Sequence, residues 1–171
     1  MAKPPSDLIV LAVVMAGAGC GAAIDLHIRR VPNPLTLLLA ASGVALAASG
    51  ISGLTVGGAL AGFALGFALM LPGHLFGATG AGDVKLFAAL GAIVGPAHIF
   101  TAFVYTALAG GVLAIVIAVR RGRLQRTIGR AGALIATAGT SAPAIESPLE
   151  NNRFAYAPAI AVGTMLAALG F

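Results

Sequence analysis

Five acidic side chains stand in a chain of 171 residues, and two of them sit where a carboxylate is costly. Asp83 lies in the stretch Gly80-Ala81-Gly82-Asp83-Val84-Lys85-Leu86, behind glycines and at the start of a long apolar segment, and Asp25 closes the first apolar segment. A charge in or beside a membrane segment is expensive, so each aspartate is by default a candidate functional residue in need of a partner. Each is the natural partner of the other. Two carboxylates a few ångströms apart cannot both ionise comfortably and share one proton. The ionised one takes a proton from water, the protonated one polarises a peptide carbonyl, and the water attacks with no covalent intermediate. Proton transfer by positioned groups supplies about 10²–10⁴-fold in rate.

Few other side chains compete for a chemical role. Asp7 is expected at the opposite end of the first segment, and Glu146 and Glu150 fall in a long polar stretch. Gly77, Gly80 and Gly82 permit unusual backbone angles and the close approach of an extended substrate. Lys85 reads as an anchor whose ammonium reaches toward the interface and biases the field near Asp83. His27, His74 and His98 match no zinc spacing, and neither a serine–histidine signature nor a phosphate loop is present. No metal and no cofactor is called for. The single cysteine, Cys20, excludes an internal disulfide framework and a cysteine zinc site, and reads as a small buried apolar side chain. Simpler roles exist for both acids. Asp83 stands where a helix should start and suits an N-cap; Asp25 could merely flank a membrane helix opposite Arg29 and Arg30.

The elements that must position these acids follow from composition. The chain is 59% hydrophobic and 9% charged, against about 25% charged in a soluble domain, and its mean hydropathy is +1.02. It reads as an integral membrane protein, all-α, a polytopic helix bundle of about six transmembrane helices forming one domain over 1–171. The expected spans are about 8–24, 34–48, 56–71, 84–94, 97–119 and 154–169. The expected cytoplasmic loops are about 25–33, 72–83 and 120–153. Residues 84–119 would make about 54 Å of straight helix, too long for one crossing, and Gly95-Pro96 is the natural break. Asn33 suits the cap of the second span and Pro34 its first position. Gly58, Gly62 and Gly66 make a small-residue stripe suited to close helix packing. The first apolar run exceeds the 7–15 residues or so of a signal-peptide core, so it is read as a retained helix.

Charge sets the orientation. The net charge of +5 comes from arginines flanking apolar segments, as cytoplasmic loops require, and not from a nucleic-acid surface. With Arg120, Arg121, Arg123, Arg126 and Arg130 inside, counting spans back places the 25–33 and 72–83 loops inside as well. Asp25 and Asp83 then fall on the same face. Anionic lipid is a secondary partner for the arginines.

The motifs resemble a known family. The segment from Gly80 through Asp83-Val84-Lys85-Leu86-Phe87-Ala88-Ala89-Leu90-Gly91 is similar to the GxGD segment of the prepilin peptidases, or type IV leader peptidases. Asp25-Leu26-His27-Ile28-Arg29-Arg30-Val31-Pro32-Asn33 resembles their first motif, and Tyr156-Ala157-Pro158-Ala159-Ile160-Ala161-Val162-Gly163 their last membrane segment. The resemblance implies an aspartic endopeptidase of the bacterial inner membrane, with Asp25 and Asp83 as its catalytic pair. Such an enzyme cuts the short positively charged leader of prepilins or pseudopilins at the cytoplasmic face. Only a short stretch precedes the first span and there is one cysteine, so the chain looks like the short form that serves Flp-type tight-adherence pili, and methyl transfer is not expected. Two other readings remain open. One is a small proton- or ion-coupled transporter using the acids as a relay, which would favour carboxylates near the bilayer midplane. The other is a non-catalytic assembly protein of a pilus or secretion system, with the aspartates as caps.

Overall fold

The computed structural model describes residues 5–120 and 156–170, and the expected 120–153 loop beyond Arg120 lies outside them. In an apolar bundle each backbone amide must be paired within its own segment, and the described residues form helices joined by short turns. They are α1 (Pro5–Ile28), α2 (Asn33–Ala48), α3 (Val56–Leu75), α4 (Ala81–Arg120) and α5 (Ala157–Leu169). Three of these, over Asp7–Ile28, Val56–Leu75 and Ala81–Val116, are long and apolar enough to cross a membrane; α2 and α5 are shorter apolar helices.

The helix ends carry local reasons. α1 stops where Arg29 takes the left-handed conformation, φ 52°, with its N–H on the Asp25 carbonyl at 2.8 Å. That conformation usually falls to glycine at a helix end. Extended Pro32 (φ −66°, ψ 138°) precedes α2, which has no side-chain cap. Asn33 is therefore not the expected cap, and its amide is engaged elsewhere. Thr55 caps α3, its Oγ1 accepting from Gly58 N–H at 3.0 Å. Gly170, at φ 88°, ends α5.

The described residues hold five helices where about six were expected. The fourth and fifth expected spans form the single element α4, interrupted where expected: Gly95 has φ 80° and ψ 174°. A straight helix would put Phe87 and Phe103 about 24 Å apart. Their ring centroids lie 6.3 Å apart in edge-to-face contact, so the second half of α4 folds back along the first. Leu54 packs against Gly95 where a Cβ would stand.

The first half of α4 is the centre of the molecule. From Leu86 to Val94 every residue is buried, as a helix apolar all round requires. α4 touches each of the other four helices, and α5 packs against both α4 and α1. Glycines set the closest approaches. A Cβ on Gly62 would fall on the Gly91 carbonyl oxygen, and one on Gly91 would fall on the Gly62 carbonyl oxygen. Gly66 lies against Phe87 and Ala88, so two members of the glycine stripe pack α3 onto α4, whereas Gly58 serves the Thr55 cap. Cys20, expected to be buried, is exposed on α1.

Candidate active site

Asp25 and Asp83 are each 6% exposed, the only acidic side chains among the described residues to be buried. They come from opposite helix ends. Asp25 sits in the last turn of α1, where the carbonyl end of the helix dipole opposes a negative charge. The fold offsets this with another helix: Ala157, first residue of α5, donates its backbone N–H to Asp25 Oδ2 at 3.4 Å. Asp83 is the third residue of α4, and its Oδ2 accepts the N–H of Gly80 at 2.9 Å. It is thus not the N-cap itself. Its carboxylate reaches back to the amide at the cap position, one half of a capping box.

Packing at two points brings the acids to one place, with Asp83 in the field of Asp25. Gly82 lies against Val31 in the α1–α2 turn, where an added Cβ would stand 3.2 Å from Val31 N and Cβ. The consecutive residues Tyr156 and Ala157 face both acids, Ala157 through its bond to Asp25 and Tyr156 within reach of the charge of Asp83. Of the three site glycines, only Gly77 has a positive φ, 73°. The expectation of unusual backbone angles at Gly80 and Gly82 is corrected: both are tight positions, Gly82 against Val31 and Gly80 against Asp83 Oδ2, 3.1 Å from an added Cβ.

Lys85 is exposed. Its Nζ donates to Asn33 Oδ1 at 3.0 Å, tying the start of α4 to the start of α2. Arg29 acts on Asp25 through space. His27, His74 and His98 are exposed, and His74 Nδ1 pairs with the Thr79 carbonyl at 3.1 Å. Among the described residues no three His, Cys, Asp or Glu side chains are grouped to hold a metal ion.

Sequence reasoning missed the start of α5 as part of the site, and Asn33 as the partner of Lys85. One signal was available for the first. Pro158 in the opening turn marks a helix N-terminus, and such a terminus offers free N–H donors to a carboxylate.

Chemically, the arrangement places two carboxylates in an apolar surrounding with one oxygen of each held by a backbone amide. Mutual repulsion in low dielectric favours one shared proton, which equips such a pair for acid–base work on a neutral substrate. Comparison with protein families matches residues 10–115 to the type IV leader peptidase family, a stretch that contains Asp25, Gly80, Gly82, Asp83 and Lys85 and ends before α5. No curated protein and no solved structure gives a significant match.

Proposed function

The chain belongs to the type IV leader peptidase family, a membrane-embedded leader peptidase by family and by its long apolar helices, and from that premise we propose that Asp25 and Asp83 are the dyad of an aspartic endopeptidase. The observation that carries the proposal is the burial of these two acids at helix ends joined by the contact of Gly82 with Val31, with Asp83 in the field of Asp25, where no other described acid lies. One carboxylate accepts a proton from the attacking water. The other donates to the oxygen of the scissile carbonyl; as the resulting diol collapses, the first passes the water-derived proton to the departing amine and the second recovers its proton from the diol hydroxyl. Gly80 supplies an orienting amide, Gly82 admits the α1–α2 turn, and Lys85 braces the two motif segments through Asn33.

The substrate is a prepilin or pseudopilin with a short basic leader, of the Flp or type IVb kind, cut at the cytoplasmic face of a bacterial inner membrane. The position of the acids supports an interfacial site. Asp25 is in the last turn of α1 and Asp83 in the first turn of α4, so neither lies mid-helix as a transmembrane proton relay would require. Membrane lipid covers the outward apolar side chains, among them Leu37, Leu38, Leu108 and Val112.

The test is leader cleavage in membranes that contain the full chain and a short Flp-type prepilin. Asp25→Asn and Asp83→Asn are each expected to abolish leader removal at unchanged protein level. Full cleavage by either variant would sink the dyad.

A further inference from the structure

Neither motif that carries the family resemblance at the acids includes Tyr156, which is half-buried and immediately precedes the amide that holds Asp25. Its ring is fixed by α4: a Cβ on Gly110 would stand 2.7 Å from Tyr156 Cε2 and 2.8 Å from its hydroxyl oxygen. The glycine at 110 therefore leaves room for the phenol, and the fold-back of α4 brings that glycine to the level of Asp83. Burial first, and the negative charge of Asp83 second, push the Tyr156 phenol above the ordinary tyrosine range. It is a neutral O–H donor at physiological pH, and the acids facing its segment are Asp83 from α4 and Asp25 from α1.

We infer that Tyr156 is a positioning residue of the peptidase site, its O–H donating to the Asp83 carboxyl once water and the leader peptide occupy the dyad, while Ala157 N–H holds Asp25. The two acids are then registered to one rigid point, the first turn of α5. Resting enzymes often keep such contacts long until substrate arrives. The inference rests on the proposed dyad, and its tests separate the two.

The first test is kinetic, on the full chain with a short Flp-type prepilin. Tyr156→Phe keeps the ring and removes the donor. The expected result is a fall in kcat of about tenfold or more, the scale of a lost hydrogen bond to a charged group, with KM within about twofold and the thermal unfolding midpoint unchanged. Wild-type kcat in Tyr156→Phe overturns the inference. Gly110→Ala is expected to lower kcat by displacing the ring, and to cost nothing further in a Tyr156→Ala background; independent, additive losses would break the link between Gly110 and Tyr156. The second test needs no cleavage. In a Tyr105→Phe background, which leaves one tyrosine, the ultraviolet titration of Tyr156 is expected to move to lower pH on Asp83→Asn, because a negative neighbour that opposed phenolate is gone. No movement would refute the pairing of Tyr156 with Asp83. If Asp25→Asn or Asp83→Asn cleaves normally while the titration shifts, the dyad fails and the contact survives.

Discussion

Asp25 lies in the last turn of α1, where the helix dipole disfavours a carboxylate by about 0.3–1 kcal/mol. Capping does not explain its presence. Replacing it with asparagine removes an ill-placed charge and keeps an acceptor for Ala157 N–H. We expect Asp25→Asn to unfold in detergent at the same temperature as wild type or higher, while leader cleavage is lost. Asp83 differs, because it does serve its own helix by accepting from Gly80 N–H. Asparagine preserves that bond, so Asp83→Asn should cost less than about 1 kcal/mol and still abolish cleavage. A variant that lost stability but kept activity would return Asp83 to a capping role. At Gly82 the constraint is space. A Cβ would stand 3.2 Å from Val31 N and Cβ, so the α1–α2 turn must give by a few tenths of an ångström; Gly82→Ala should reduce cleavage several-fold, a fraction of the about 10²-fold that about 1 Å of misplacement can cost. Steady-state cleavage rates decide it.

For the helices, contact between backbones is what glycine provides. Gly62 and Gly91 face each other so closely that either Cβ would meet a carbonyl oxygen of the other helix. Overpacking of this kind costs about 1–3 kcal/mol. Gly58 makes only ordinary contacts, with Thr55 Oγ1 3.4 Å from an added Cβ. The expected outcome is a lowered unfolding midpoint for Gly62→Ala and a near-neutral one for Gly58→Ala, although both belong to the same four-residue spacing. Equal effects would show that the stripe acts by composition rather than by contact. Gly95→Ala meets two penalties, a backbone at φ 80° and ψ 174° that is essentially reserved for glycine and the Leu54 side chain, and should destabilise by about 1–3 kcal/mol from the backbone alone.

Across the whole molecule, the turn at Gly95 decides which loops share a side. With α4 folded back on itself, His98 belongs to the end opposite Asp83, while His27 and His74 lie near the acids' end; all three are exposed. Single cysteines at 27, 74 and 98, placed in a Cys20→Ser background, report this directly. A membrane-impermeant maleimide should label positions 27 and 74 from one side and position 98 from the other. Labelling of all three from one side would contradict the fold-back, and labelling of 27 and 74 from the periplasm would contradict a cytoplasmic site.

By itself the sequence determined that the chain is a helical membrane bundle, because its charge is too sparse to cover a soluble surface. It also determined that Asp25 and Asp83 are the acids to watch and that the chain breaks at Gly95-Pro96, since glycine and proline act on the local backbone. What depends on residues far apart in the chain was not legible. Asn33 has the chemistry of a cap, yet its amide is taken by Lys85, 52 positions away. Cys20 has the chemistry of a core residue, yet the direction in which α1 turns leaves it exposed. Hydropathy cannot say which side of an all-apolar helix faces a neighbour and which faces lipid, because both sides look alike. Only packing of α5 against both α1 and α4 decided that Ala157 would hold Asp25 and that Tyr156 would lie over Gly110.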